Sequence, residues 1–131
     1  MEYFKSLNDY FQIELQKLEC EDELKVYIIS IFSKYKTSEN DLSKQSLTIE
    51  YASAKFKRDF AKFQDIGDWI FYTNTLYPES LNNASRNYYY SVGQMSYYSC
   101  YTMVRDWKLY EQMADRFIDL SETSRKIIRK F

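Results

Sequence analysis

The residues best equipped for chemistry lie between Gly67 and Tyr101, in the run GDWIFYTNTLYPESLNNASRNYYYSVGQMSYYSCY. This stretch holds both glycines, the only proline, one of two tryptophans and eight of the fourteen tyrosines. Asp68 stands out in it. Aspartate is a poor residue inside a helix, because its side chain competes for backbone hydrogen bonds. It can cap a helix that starts after a turn at Gly67. It can be a buried carboxylate that receives a tyrosine hydroxyl. It can be a general base in a pocket, or simply be exposed. In a continuous helix it lies near Tyr72 and Thr75, away from the Ile66/Ile70 stripe.

A second group follows from helical spacing. At about one hundred degrees per residue, Tyr90, Gln94, Tyr97 and Tyr101 share one face, with Tyr98 at its margin. A buried tyrosine needs a partner for its hydroxyl. The face therefore reads as a core network that fixes helix register, or as a pocket for a small planar or polar ligand. Stacking on single-stranded nucleic acid would want basic residues interleaved with the rings, and these are lacking. The candidate ligand-binding set is Asp68, Tyr72, Tyr90, Gln94, Tyr97 and Tyr101; no residue is assigned a catalytic role.

Several chemistries are excluded at the level of residue type. The chain has no histidine, so it lacks the commonest general base, histidine-activated nucleophiles and histidine metal sites. Cys20 and Cys100 match no metal spacing and read as buried small hydrophobes. No phosphate loop, dinucleotide fingerprint, EF-hand or zinc motif is present. No metal or cofactor is expected. Eighteen basic and nineteen acidic residues give a net charge of −1, which advertises neither nucleic acid nor an anionic membrane. The start of the chain, Met1-Glu2-Tyr3-Phe4-Lys5, does not resemble a signal peptide, and no apolar run reaches spanning length. The expected location is cytoplasmic, with reduced thiols.

The elements that must position these residues read as helices. The 131 residues are 45% hydrophobic and 28% charged, as in one globular domain. Two glycines and one proline are too few for a turn-rich β fold. Phe4, Leu7, Phe11, Leu15 and Leu18 predict a helix over 1–19, although Phe11, Ile13 and Leu15 also alternate. Leu24, Tyr27, Ile28, Ile31, Phe32 and Tyr35 mark one face of a second helix. Glu21, Asp22 and Glu23 at its start and Lys34 and Lys36 at its end suit the dipole. Thr37 to Lys44 is a loop. A helix from Ser46 to Phe63, apolar at Ile49, Ala52, Phe56, Phe60 and Phe63, continues to Tyr77 as one helix or breaks near Gln64. Pro78 ends it, and Glu79 to Asn83 turn.

Ser85 to Met103 predicts a helix with little charge on any side, which places it at the centre. Its face of Tyr89, Gly93, Ser96, Cys100 and Met103 would admit another backbone closely. The last helix, Asp106 to Lys130, carries Tyr110, Met113, Phe117, Leu120, Ser124, Ile127 and Phe131 at heptad spacing. Tyr110, Met113, Phe117 and Leu120 pack inside the domain or form a homodimer interface. Two basic runs, Lys55, Lys57, Arg58 and Lys62, and Arg125, Lys126, Arg129 and Lys130, read as solvated faces. The expected fold is a single all-α domain over residues 1–131, an irregular bundle of five or six helices.

The run Gly67-Asp68-Trp69-Ile70-Phe71-Tyr72, closing on Tyr77-Pro78-Glu79, resembles an uncharacterised bacterial family of all-helical proteins. A helix with a glycine and paired tyrosines follows in that family, like Gly93 with Tyr97-Tyr98. A final helix then carries a pattern like Leu109 to Leu120. The resemblance spans residues 60–120. The family tends to have a glycine where this chain has Thr75. The resemblance implies a small cytoplasmic helical protein and favours Gly67, Asp68, Tyr77, Pro78, Glu79, Gly93 and Tyr97 as fold-defining or site-lining. It brings no activity, cofactor or partner.

The function expected from these readings is a non-enzymatic interaction or regulatory module. Its partner would be another protein or a second copy of itself, and its working surface Trp69 to Tyr101 or the final helix. The competing expectation is a small-molecule-binding protein or enzyme that uses a tyrosine pocket, with Asp68 and Gln94 as polar anchors.

Overall fold

A computed structural model describes residues 7–35, 44–81, 86–104 and 108–129. All regular structure among them is helical: α1 (Leu7–Glu14), α2 (Asp22–Lys34), α3 (Lys44–Lys57), α4 (Phe60–Leu76), α5 (Arg86–Met103), α6 (Leu109–Asp115) and α7 (Phe117–Ile128). Short 3-10 turns follow α1 at Leu15–Lys17 and α4 at Pro78–Ser80. Phe4, Phe131 and most of the expected loop from Thr37 lie outside the described residues. No described helix is long and apolar enough to cross a membrane.

Among the described residues seven helices replace the expected five or six, because two long stretches are broken. The first break falls at Arg58 and Asp59, not near Gln64. Arg58 takes a left-handed conformation with φ of 53°. The Asp59 N–H donates to Ala54 O at 3.0 Å, the closing bond of a Schellman turn. The Asp59 side chain then accepts from the Lys62 N–H at 3.1 Å and caps α4. One residue thus ends α3 and starts α4. The second break, at Arg116, divides the expected last helix into α6 and α7.

The break after α3 redirects its apolar stripe. Leu47 and Ala54 are buried, whereas Ile49 is 64% and Phe56 84% exposed. The expected burial of Ile49, Ala52 and Phe56 is therefore corrected, and only Phe63 of that stripe is fully in the core. A hydrogen bond between Thr48 Oγ1 and Tyr88 Oη at 2.6 Å ties α3 to α5 in this orientation.

α4, rather than α5, is the central helix. Every residue from Ile66 to Thr75 is buried, as expected of a helix with neighbours on all sides. α5 keeps an outer face, on which Met95 and Tyr98 are half-exposed. Pro78 does end α4, which stops at Leu76. The heptad-spaced side chains of α6 and α7 turn inward: Tyr110, Met113, Phe117 and Leu120 are all 0–1% exposed and belong to the chain's own core.

Candidate functional site

The site grows from Asp68, in the middle of α4 and 3% exposed. Its Oδ1 accepts two phenolic hydroxyls, Tyr27 from α2 and Tyr97 from α5, each at 2.6 Å. Its Oδ2 accepts the Lys34 ammonium at 3.0 Å. Lys34 also pairs with Asp65, one turn earlier on α4. The Tyr35 hydroxyl donates to the Asp65 carbonyl at 3.1 Å. Of the roles open to Asp68 in the sequence, the structure therefore selects the buried carboxylate that receives tyrosine hydroxyls. It is not a helix cap, because α4 begins eight residues earlier.

The preceding glycine makes this geometry possible. A Cβ on Gly67 would lie 2.9 Å from Cε1 and Cζ of Tyr97. The ring rests against the bare backbone at Gly67 and so delivers its hydroxyl to the next residue's carboxylate. Gly93 does the same for another ring: a Cβ there would lie 2.6 Å from Cζ of Phe117. The small-residue face of α5 thus admits an aromatic ring from α7 at Gly93, and at Cys100 it meets the α4 backbone, where the thiol donates to Phe60 O at 3.8 Å. Around the carboxylate, Tyr27 meets Tyr97 and Tyr110 edge-on at 6.3 and 5.8 Å, and Tyr97 stacks on Tyr110 at 6.4 Å. Gln64 Nε2 donates to the Tyr110 hydroxyl at 2.6 Å.

Burial raises the Asp68 pKa above the ordinary carboxylate range, against the opposing pull of Lys34, Tyr27 and Tyr97. Burial also works against the Lys34 charge, but Asp68 and Asp65 outweigh it and the Lys34 pKa rises. Desolvation and the nearby Asp68 push the hydroxyls of Tyr27 and Tyr97 well above the usual phenol value. Burial takes Tyr110 up to about 12 and the Cys100 thiol up to about 12. At neutral pH these hydroxyls and the thiol keep their protons, so they serve as donors and not as nucleophiles or bases. The Cys20 thiol is also raised by burial.

The chemistry open to this arrangement is limited by burial and by the donors already in place. An ionised carboxylate has about four lone-pair sites, and three of Asp68's are taken. A general base needs a free lone pair within reach of substrate. Asp68 instead acts as a counter-ion that pins α2, α4 and α5 to one point.

The other candidate residues are dispersed. Tyr72 is nearly buried and packs on Phe32 and Tyr35 at 5.3 and 5.1 Å. Tyr90 lies against Phe117 at 6.5 Å. Gln94 donates to Ala114 O at 3.2 Å. Tyr101 lies beside Tyr98 at 6.0 Å. Only Tyr97 joins Asp68. Surface grooves among the described residues include two that lie elsewhere. One, of about 460 Å³, is lined by Asp22, Glu23, Val26, Tyr27 and Ser30. The other, of about 440 Å³, lies between the turn after α1 and the α7 region, with Lys17, Arg116 and Lys126 on its walls. Neither is lined by Asp68, Tyr90, Gln94, Tyr97 or Tyr101.

Sequence reasoning missed Tyr27 and Lys34. The available signal was a tyrosine among leucines and isoleucines on α2, with a lysine seven residues on and hence on the same side. Compared with known proteins, the chain matches no family model, no curated protein and no solved structure.

Proposed function

We propose that this chain is a non-enzymatic interaction module whose helical core serves to present apolar helix faces to a protein partner. One observation carries the reading. Large apolar side chains stand in solvent on the helix faces turned away from the core: Phe56 is 84%, Val26 65% and Ile49 64% exposed. Single exposed hydrophobics are ordinary. Ile49 and Phe56 differ in sharing one side of α3, two turns apart, with Ala52 between them. The working surface is placed on α2 and α3 rather than on Trp69–Tyr101 or the final helix. Membership of the bacterial helical family that Gly67 to Glu79 resembles belongs to the same proposal. Gly67, Asp68, Gly93 and Tyr97 are ring seats and polar anchors of that core, and a cytoplasmic location accords with it.

The small-molecule or enzymatic reading keeps one supporting observation, the buried Asp68 with its raised pKa, since perturbed carboxyls concentrate at functional sites. A single experiment separates the two. A photo-crosslinking phenylalanine analogue is placed at position 56 or 26 in the organism that makes the protein, and the purified chain is weighed by native mass spectrometry. Discrete protein adducts, lost when Ile49→Asp is added, are expected together with a mass that is a whole multiple of 15.9 kDa. No adduct from either position, with a retained small molecule, would transfer the assignment to the second reading.

A further inference from the structure

The two unpartnered faces are complementary to each other. On α3, the strip of Ile49 and Phe56 points away from the buried Leu47 and Ala54. Lys55 and Lys57 flank Phe56, one on each side of the helix, and both are exposed. On α2, Val26 and Tyr27 give the groove of about 460 Å³ an apolar surface. Asp22 and Glu23 stand on its rim, and both are exposed. One face is thus apolar with a positive border, the other apolar with a negative border. Opposed borders of this kind set register and reject wrong partners. The net charge of −1 leaves little general repulsion between copies.

We propose that the α3 strip of one copy docks in the α2 groove of a second copy of the same chain, with Phe56 as the anchor and Lys55 and Lys57 against Asp22 and Glu23. This rests on the interaction-module reading and names its partner. Because the two faces differ, the contact is either made twice, reciprocally, in a two-fold dimer or made once per pair, which generates open series or rings. Tyr27 connects the groove to the core, since it lines the groove while its hydroxyl is held by Asp68.

The test is sedimentation velocity on the full chain over a wide concentration range at low ionic strength, where exposed charges are least screened. The wild type is expected to rise above 15.9 kDa with concentration. The double variant Lys55→Glu/Lys57→Glu and the double variant Asp22→Lys/Glu23→Lys should each stay at the mass of one chain. Their equimolar mixture should associate at least tenfold more tightly than either alone, because each contact in the mixed pair again joins opposite signs. Phe56→Asp changes a residue already in solvent, so the fold should survive while association is lost; circular dichroism checks each variant. The proposal is overturned by a wild type that stays at one chain mass throughout. A mixture no tighter than its components, or association that persists in a folded Phe56→Asp, overturns it equally. If self-association fails while crosslinking at position 56 captures a different protein in the cell, the interaction reading stands and self-docking falls.

Discussion

Around Asp68 and around Asn74, less than two turns apart on α4, polar side chains are equally buried but unequally satisfied. At Asp68 one carboxylate takes donors from Tyr27 and Lys34 of α2 and Tyr97 of α5. At Asn74 the groups are short and neutral, apart from one arginine. Asn74 Nδ2 donates to Ser121 Oγ at 2.8 Å, and Ser121 Oγ also pairs with Thr75 Oγ1 at 2.9 Å. Arg125 donates to the Asn74 carbonyl at 2.7 Å, so it is not part of a solvated basic face. Three buried atoms of this seam, Asn74 Oδ1, Ser124 Oγ and Arg125 Nε, have no hydrogen-bond partner. The difference is one of reach. Tyrosine and lysine carry their donors far enough to converge on one acceptor from separate helices. Asparagine, serine and threonine bridge only the nearest interface and leave atoms over. A fully satisfied network specifies one arrangement, whereas a partly satisfied one costs free energy at each orphan.

Alkaline pH should divide the two regions most sharply, because the Asp68 cluster contains the titrating groups. Tyr27, Tyr35, Tyr97 and Tyr110 all have pKa values raised above 10.0 in the fold. The unfolded chain therefore releases these protons first. Their contribution to stability is complete below pH 10 and is lost as pH rises through the folded values, about 12 for Tyr110. Lys34, raised from 10.5, acts in the same direction. Tyrosinate absorbance should then show a steep late component that coincides with loss of helical circular dichroism. A single smooth titration with helicity intact would mean that the cluster is open to solvent and the comparison is wrong.

Substitution at Asp68 comes next in size. Asp68→Ala strands the hydroxyl of Tyr97, at about 1–3 kcal/mol for an unsatisfied buried group, and removes one bond from Tyr27, whose hydroxyl keeps Tyr110. Lys34 retains Asp65 and is 33% exposed at its side chain, so no buried charge is left over. The expected loss is about 2–4 kcal/mol in urea unfolding. Asp68→Asn keeps an acceptor for both hydroxyls and should cost less than half as much. The raised pKa supports this order: burial disfavours the charge itself, and its stabilising direction lies toward low pH, not neutral pH. Equal losses for the two variants would show that charge, rather than the convergence of donors, holds α2, α4 and α5 together.

How far these regions could be read from sequence follows the same division by reach. The helices of α2 and α5 were legible because three-to-four spacing of Leu24, Ile28, Ile31 and Phe32, or of Tyr97 and Cys100, depends only on local geometry. The acceptor role of Asp68 was legible as one of several options, from residue type and an improbable mid-helix place. Its donors were not, since Tyr27 lies 41 residues away and nothing local marks which helix crosses α4 there. The α3–α4 break was misplaced because Arg58 takes a left-handed conformation more usual for glycine, and arginine carries no turn signal. That error also hid the exposure of Ile49 and Phe56. Gly67 and Gly93 were marked as special, but the rings they admit come from α5 and α7 and could not be named.

The finest distinction lies within the Asn74 seam, between two fully buried serines on α7, three residues apart. Ser121 serves as partner to both Asn74 and Thr75. Ser124 Oγ has no partner. Ser121→Ala should therefore lower stability by about 1–2 kcal/mol, because it removes both bonds and leaves the Asn74 amide unpaired. Ser124→Ala removes a hydroxyl that is desolvated without compensation. It should leave stability unchanged or raise it by up to about 1 kcal/mol, at the cost only of a small lost volume. Urea unfolding of the two variants side by side measures this. If Ser124→Ala destabilises as much as Ser121→Ala, Ser124 has a partner in solution. The Asn74 seam would then hold fewer orphan atoms, Asn74 Oδ1 and Arg125 Nε alone, and reach would separate the two regions less sharply.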